Sequence, residues 1–142
     1  MIKEFKKEFS FLSNFFIHKE ISYDGLRSDN VEALFQAMKA FSRFDAIQIA
    51  GCSSPSEAKR LGRQIKMKPN WDSIKVGIMK EILIEKFRIP KLRQKLLDTG
   101  SEYLQEGNWW GDTFWGVCKG VGDNNLGKLL MEIRQEIRDG KL

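Results

Sequence analysis

The sequence predicts an α+β fold, a mostly helical single domain with a few short strands, over residues 1–142. Three observations carry that prediction. Apolar residues recur at helical spacing in three separate stretches, in the first third, the middle and the last twenty residues. One short segment, Ile21 to Tyr23, then Asp24-Gly25, then Leu26, has the form of a tight hairpin. At 142 residues the chain is long enough to bury a real core and short enough to be one domain.

Taken in order, Phe9 to Ile17 is aromatic-rich and reads as strand and turn, and the hairpin follows. Val31, Leu34, Phe35, Met38 and Phe41 share one stripe, so a helix starts near Asn30. Asp45 to Ala50 reads as a short second helix. Ser54-Pro55-Ser56-Glu57 combines a capping box with proline at the first helical position, starting a helix that runs through Leu61. Trp71, Ile74, Ile78 and Ile82, with Met79, Leu83 and Phe87, mark a long buried helix. Lys91 to Asp98 is a short helix stopped before Gly100. Leu126, Leu129, Leu130, Ile133 and Ile137 mark the last helix.

Composition narrows the partners without naming one. A net charge of +5 and a pI near 9.2 allow nucleic acid or phosphorylated ligands. The basic residues are spread along the chain, as on a solvated surface, with no dense basic arm. Cys52 and Cys118 are too few for a metal cluster or a disulfide framework, and two free thiols fit a cytoplasmic setting. No apolar run is long enough for a signal peptide or a membrane span, so no membrane partner is expected.

The stretch from Glu106 to Arg134 holds a mixture that packing alone does not call for. Three tryptophans (Trp109, Trp110, Trp115) lie among Glu106, Asp112 and the glycines 116, 120, 122 and 127. The helix beginning near Asn125 offers backbone N–H groups, the ordinary basis of a phosphate site. Aromatic platforms, acids and an anion site point to a nucleotide-like ligand. Gly122 to Lys128 fits GxxxxGK, but Leu129 stands where the magnesium-holding Ser or Thr belongs, so it is not an ATPase loop.

The available chemistry is limited. His18 is the single histidine, with no GxSxG elbow to accompany it, and no ligand spacing for zinc exists. What remains is carboxylates, lysines, asparagines and aromatics. These suit a reaction through a sugar oxocarbenium ion, in which a carboxylate activates water or stabilises charge at the anomeric carbon. Glu32, Gln36 and Lys39 follow at steps of four and three, on one stripe of the first helix. The plain alternative is that Asp29 and Glu32 form a capping box while Gln36 and Lys39 face water, and spacing alone favours it.

Several motifs occur in order: SNFF at Ser13 to Phe16, VExxxQAxK at Val31 to Lys39, SPSEAKRLGR at Ser54 to Arg63, then Trp71, Met79, Lys86-Phe87 and Leu97 with Thr99-Gly100. LxE at Leu104 to Glu106, DxxWG at Asp112 to Gly116 and GxxNLGxxLMxxR from Gly122 to Arg134 complete the set. The whole resembles the NADAR family. The resemblance implies an N-glycosidase that breaks a ribose C1–nitrogen bond, without cofactor or metal. Substrates of that kind are ADP-ribosylated guanine in nucleic acid, or a small phosphoribosyl compound such as a riboflavin-pathway intermediate.

Carried over by position, the family's polar set falls on Glu32, Gln36, Lys39, Arg60, Glu106, Asp112, Asn125 and Arg134, and its tryptophans on Trp71 and Trp115. The resemblance therefore implies Glu32 as first catalytic carboxylate, Asp112 or Glu106 as second, and Lys39 as a phosphate contact, a leaving-group contact or an imine-forming amine. Among the carried-over positions, Gln36, Arg60, Trp115, Asn125 and Arg134 are expected to contact substrate, and the residues themselves add Lys59 as an alternative to Arg60, Trp109 as a stacking ring, and Gly116 and Asn124 beside the helix N-terminus. Two departures stand out: Ala33 where many members carry histidine, and an NWWG insertion between Glu106 and Asp112. The plain readings put Trp71 in the core, one of Trp109 and Trp110 facing out, and Arg134 in a buried ion pair with an acid. A binding module for ADP-ribose, NAD or nucleic acid is the other class of function. A recessed Glu32 favours chemistry, whereas a Glu32 that caps its own helix favours binding alone.

Overall fold

A computed structural model describes all residues, 1–142. The elements in chain order are a 3-10 helix (Lys7–Leu12), β1 (Ile21–Tyr23), β2 (Leu26–Ser28), α1 (Val31–Lys39), α2 (Arg43–Ala50), α3 (Pro55–Gly62), α4 (Trp71–Lys86), α5 (Pro90–Asp98), β3 (Gly107–Asn108), β4 (Val117–Cys118) and α6 (Asn125–Arg138). The fold is α+β and mostly helical. The chain divides into two compact units: residues 14–89, and residues 1–13 with 90–142.

In the unit of residues 14–89, α1 is central and lies against α2, α3, α4 and β2. Val31, Ala33, Leu34, Phe35, Ala37 and Met38 are all buried, so α1 is covered around nearly its whole circumference. Each short helix has a local start signal. Asn30 Oδ1 accepts the Ala33 N–H at 2.8 Å, Ser42 Oγ accepts that of Asp45 at 3.1 Å, and Ser54 Oγ accepts that of Glu57 at 3.1 Å. The hairpin pairs Tyr23 with Leu26 across Asp24-Gly25, whose φ values of 50° and 78° are those of a two-residue turn that glycine and aspartate tolerate. Trp71 is core, its ring 5.0 Å from that of Phe35. At the end of α4 the fully buried Lys86 places its ammonium over the Phe16 and Phe87 rings, at 5.7 and 5.2 Å.

In the other unit, Ile2 bridges to Leu104, α5 packs on α6, and β3 pairs in parallel with β4. Leu126, Leu129, Leu130, Ile133 and Ile137 line the buried face of α6, as their spacing predicts. No helix is long and apolar enough to cross a membrane.

Three expectations need correction. The first part of the segment expected to be strand and turn, Phe9 to Leu12, belongs instead to the 3-10 helix Lys7–Leu12, in which Phe11 and Leu12 bury side by side instead of alternating; the expected turn follows at residues 14–15. The stripe of α1 ends before Phe41: Ala40 is extended and bridges to Met67, leaving the Phe41 ring exposed beneath the Lys66 ammonium at 4.4 Å. The capping box at Ser54 is half formed, because Glu57 pairs with Arg60.

Candidate active site

The capping role expected of Asp29 belongs to Asn30, and Asp29 Oδ1 accepts from the Asn30 amide at 2.9 Å. Glu32 therefore has no cap to make. Its N–H donates to the Asn14 carbonyl at 3.1 Å, and the residue is 8% exposed. Gln36, one turn on, is also buried and donates from Nε2 to Glu32 Oε2 at 2.8 Å. The plain alternative, with these side chains in water, does not hold. Lys39, another turn on, is half-buried. Burial lowers its pKa, the charge of Glu32 opposes that, and Arg63 adds to it. A buried carboxylate, an amide fixed to it and a desolvated amine thus follow one another along α1.

Arg60 is exposed and held by Glu57 on the same turn, with Nε 3.1 Å from Glu57 Oε2. The cation that acts on Lys39 is Arg63, which follows the end of α3. Arg63 and Asn14 are the positions that sequence reasoning passed over. Both lie inside the ordered motifs, Asn14 in SNFF and Arg63 at the end of SPSEAKRLGR, which was the available signal.

The acids and tryptophans of the 106–125 stretch sit in an ordered loop. Asp112 Oδ1 accepts the N–H groups of Phe114 and Trp115 at 3.2 and 2.9 Å, and Asn108 clasps the Asp112 backbone at both its N–H and its carbonyl. Glu106 is half-buried; its N–H donates to Asn124 Oδ1 and its carbonyl accepts from Val117. Gly116 has no room for a side chain, since a Cβ there would lie 2.1 Å from the Glu106 carbonyl oxygen. Trp115 is half-buried, edge-on to Phe114, whereas Trp109 and Trp110 both face outward in an edge-on pair.

The start of α6 is not open. The N–H groups of Asn125 and Leu126 donate to the Phe114 and Trp115 carbonyls, so the loop occupies donors that the sequence offered to phosphate. Asn124 is 2% exposed and holds φ 53°, and its amide bonds Leu104, Tyr103 and Glu106. Asn125 Nδ2 donates to the Phe114 carbonyl. Arg134 is buried as expected, but it donates to the Thr99 hydroxyl at 2.8 Å, where the sequence suggested an acid; burial lowers its pKa. A depression of about 410 Å³ in the same unit is lined by Lys3, Glu4, Gln105, Gly107, Asn108, Val117, Lys119 and Gly120. None of the predicted site residues is among them.

The sequence model of the NADAR domain matches residues 2–138. The chain is 40% identical over 116 residues to N-glycosidase Npun_R5314 of Nostoc punctiforme, covering 77% of this chain and 74% of that protein. It is 38% identical over 122 residues to N-glycosidase YbiA of Escherichia coli K12, covering 82% and 75%. The NMR structure of E. coli YbiA matches with a TM-score of 0.87 at 34% identity, over 99% of this chain and 87% of that one. A riboflavin biosynthesis protein of Vibrio vulnificus, VVA0006, is 32% identical over 91% of this chain but only 36% of its own length. The chain belongs to the NADAR family and is one of its N-glycosidases.

Proposed function

We propose that this N-glycosidase hydrolyses the bond between ribose C1 and a base nitrogen in an ADP-ribosyl compound, and that ADP-ribosylated guanine in nucleic acid is its first substrate class. The observation that carries the reading is the buried Glu32 carboxylate, fixed by Gln36 and followed by the desolvated Lys39. A module that only binds has no need to bury a carboxylate in this way. As the C1–N bond breaks, its electron pair leaves with the nitrogen and positive charge grows on the ribose. The water oxygen bonds to C1 as the C1–N bond breaks, Glu32 takes a proton from that water or stabilises the growing charge, and the water's proton ends on the departing base nitrogen, by way of Glu32 or solvent. Asp112 and Glu106 are proposed as the second carboxylates, Trp115 and Trp109 as stacking rings, and Lys39 as a contact to the leaving group or the amine that captures the opened sugar. Two free thiols support a cytoplasmic setting.

A second reading has its own support. Relatives over much of this chain are named riboflavin biosynthesis proteins, which favours a phosphoribosylamino-pyrimidine as substrate. The test is one hydrolysis panel: ADP-ribosylated guanosine and DNA, NAD, and a phosphoribosylamino-pyrimidine, each with the unmodified chain and Glu32→Gln. Release of ADP-ribose from the guanine compounds, lost in a folded Glu32→Gln, is the expected result. Turnover of the pyrimidine alone selects the second reading. Saturable ADP-ribose binding without any turnover returns the chain to the binding modules.

A further inference from the structure

Gly62 closes α3 with an ordinary helical backbone, so no left-handed conformation requires glycine there. It is the last helical residue of α3 and is buried. The requirement is space. A Cβ on Gly62 would stand 2.2 Å from Gln36 Oε1, 2.9 Å from its Cδ and 3.3 Å from its own Cβ. The Gln36 side chain therefore occupies the volume that the Cβ of any other residue at 62 would fill. Its Oε1 is buried there without a hydrogen-bond partner, while Nε2 is turned to Glu32 at 2.8 Å. Rotating the amide the other way would face oxygen against carboxylate, so the contact with Gly62 and the bond to Glu32 select one orientation together. Gly77, in α4, has nothing within 4 Å of where its Cβ would be, so a glycine within a helix of this chain does not by itself imply such a close approach.

We propose that Gly62 is a positioning residue: by leaving room for the Gln36 amide it sets the orientation of the Glu32 carboxylate. Its consequence for turnover rests on the role proposed above for Glu32; the geometric part does not. An alanine at 62 must move the Gln36 amide by roughly an ångström to reach ordinary contact, and misplacements of that size cost about ten- to a hundredfold in rate.

The experiment uses Gly62→Ala, Gln36→Ala, the double variant, Glu32→Ala as the reference for the Gln36 amide resonances, and Gly77→Ala as a helix-glycine control. In Gly62→Ala the side-chain amide resonances of Gln36 lose the shift that a carboxylate partner imposes and move to where Glu32→Ala puts them. Unchanged Gln36 resonances in a folded Gly62→Ala overturn the proposal. On the substrate that the panel identifies, kcat falls about ten- to a hundredfold in Gly62→Ala with KM little changed, and Gly77→Ala matches the unmodified chain. The double variant is no slower than Gln36→Ala alone, because the alanine then has room; additive losses overturn the proposal. Should Gly62→Ala fail to fold, the double variant recovers the fold, and a double variant equally unfolded counts against Gly62 as well. If Glu32→Gln itself turns over, the role of Glu32 fails, and the Gln36 resonances alone decide the positioning.

Discussion

At the scale of single residues, several polar side chains in this chain act on the fold's own backbone, and their replacement separates stability from chemistry. Asn124 is the clearest case. It holds a left-handed backbone and spends both ends of its amide on Glu106, Leu104 and Tyr103. Asn124→Ala leaves a strained φ and stranded partners and costs about 2–4 kcal/mol, while Asn124→Gly relieves the strain and costs less; urea unfolding measures both. His18 makes a pH prediction. Burial lowers its pKa; the Lys19 carbonyl opposes that, Lys86 adds to it and Asp29 opposes it. Between the lowered folded value and the ordinary 6.5, the unfolded chain binds a proton that the folded chain refuses, so stability falls as pH drops through that window. His18→Gln removes this part of the slope, which urea midpoints at about pH 5 and about pH 7.5 would reveal. Lys39, desolvated yet beside Glu32, makes a chemical prediction. If its amine captures the opened sugar, cyanoborohydride during turnover leaves an adduct on Lys39 by mass spectrometry, and Lys39→Arg leaves none.

Single elements matter here through their ends. The start of α1 is fixed by the Asn30 side chain and by the Asn14 carbonyl, which takes the Glu32 N–H. Asn30→Ala therefore has two effects. It costs about 1 kcal/mol as a lost cap, read by thermal or urea unfolding, and it loosens the first turn, which carries Glu32, so kcat falls more than the stability loss alone explains. Ser54→Ala in α3 removes an equivalent cap from a helix whose end holds Gly62, and gives a matched comparison. The loop before α6 closes that helix's start with the carbonyls of residues 113–116. Local periodicity foretells that α6 begins at Asn125; it does not foretell that the loop will fold back onto its donors.

Across the whole molecule the charge of +5 is a property of the surface and bears on the substrate's size. If the proposed nucleic-acid substrate is the right one, KM for guanine ADP-ribosylated within an oligonucleotide is expected to rise steeply with salt, as contacts to several phosphates would release bound counterions, and for the free nucleoside compound it is expected to rise little. Equal salt dependence for the two would place the substrate among free nucleotides. The NADAR match spans residues from both compact units, and the near-complete match to the YbiA structure agrees with that.

The sequence alone determined what depends on neighbours along the chain. Periodicity marked the starts of α1, α4 and α6, and Asp24-Gly25 marked the hairpin, because helical stripes and two-residue turns are local arrangements. Motif order identified the family and so pointed to Glu32. Only the tertiary structure decided whether Glu32 was a cap or a buried acid, since at the start of a helix the two uses share the same spacing. The difference was made by Asn14, distant in sequence, and by α3, whose glycine admits Gln36. It also decided that Arg60 is held by Glu57, that Arg63 is the cation whose charge Lys39 feels, and that the start of α6 is closed. Burial and partner choice arise from contacts between segments far apart in the chain, and no local pattern records them.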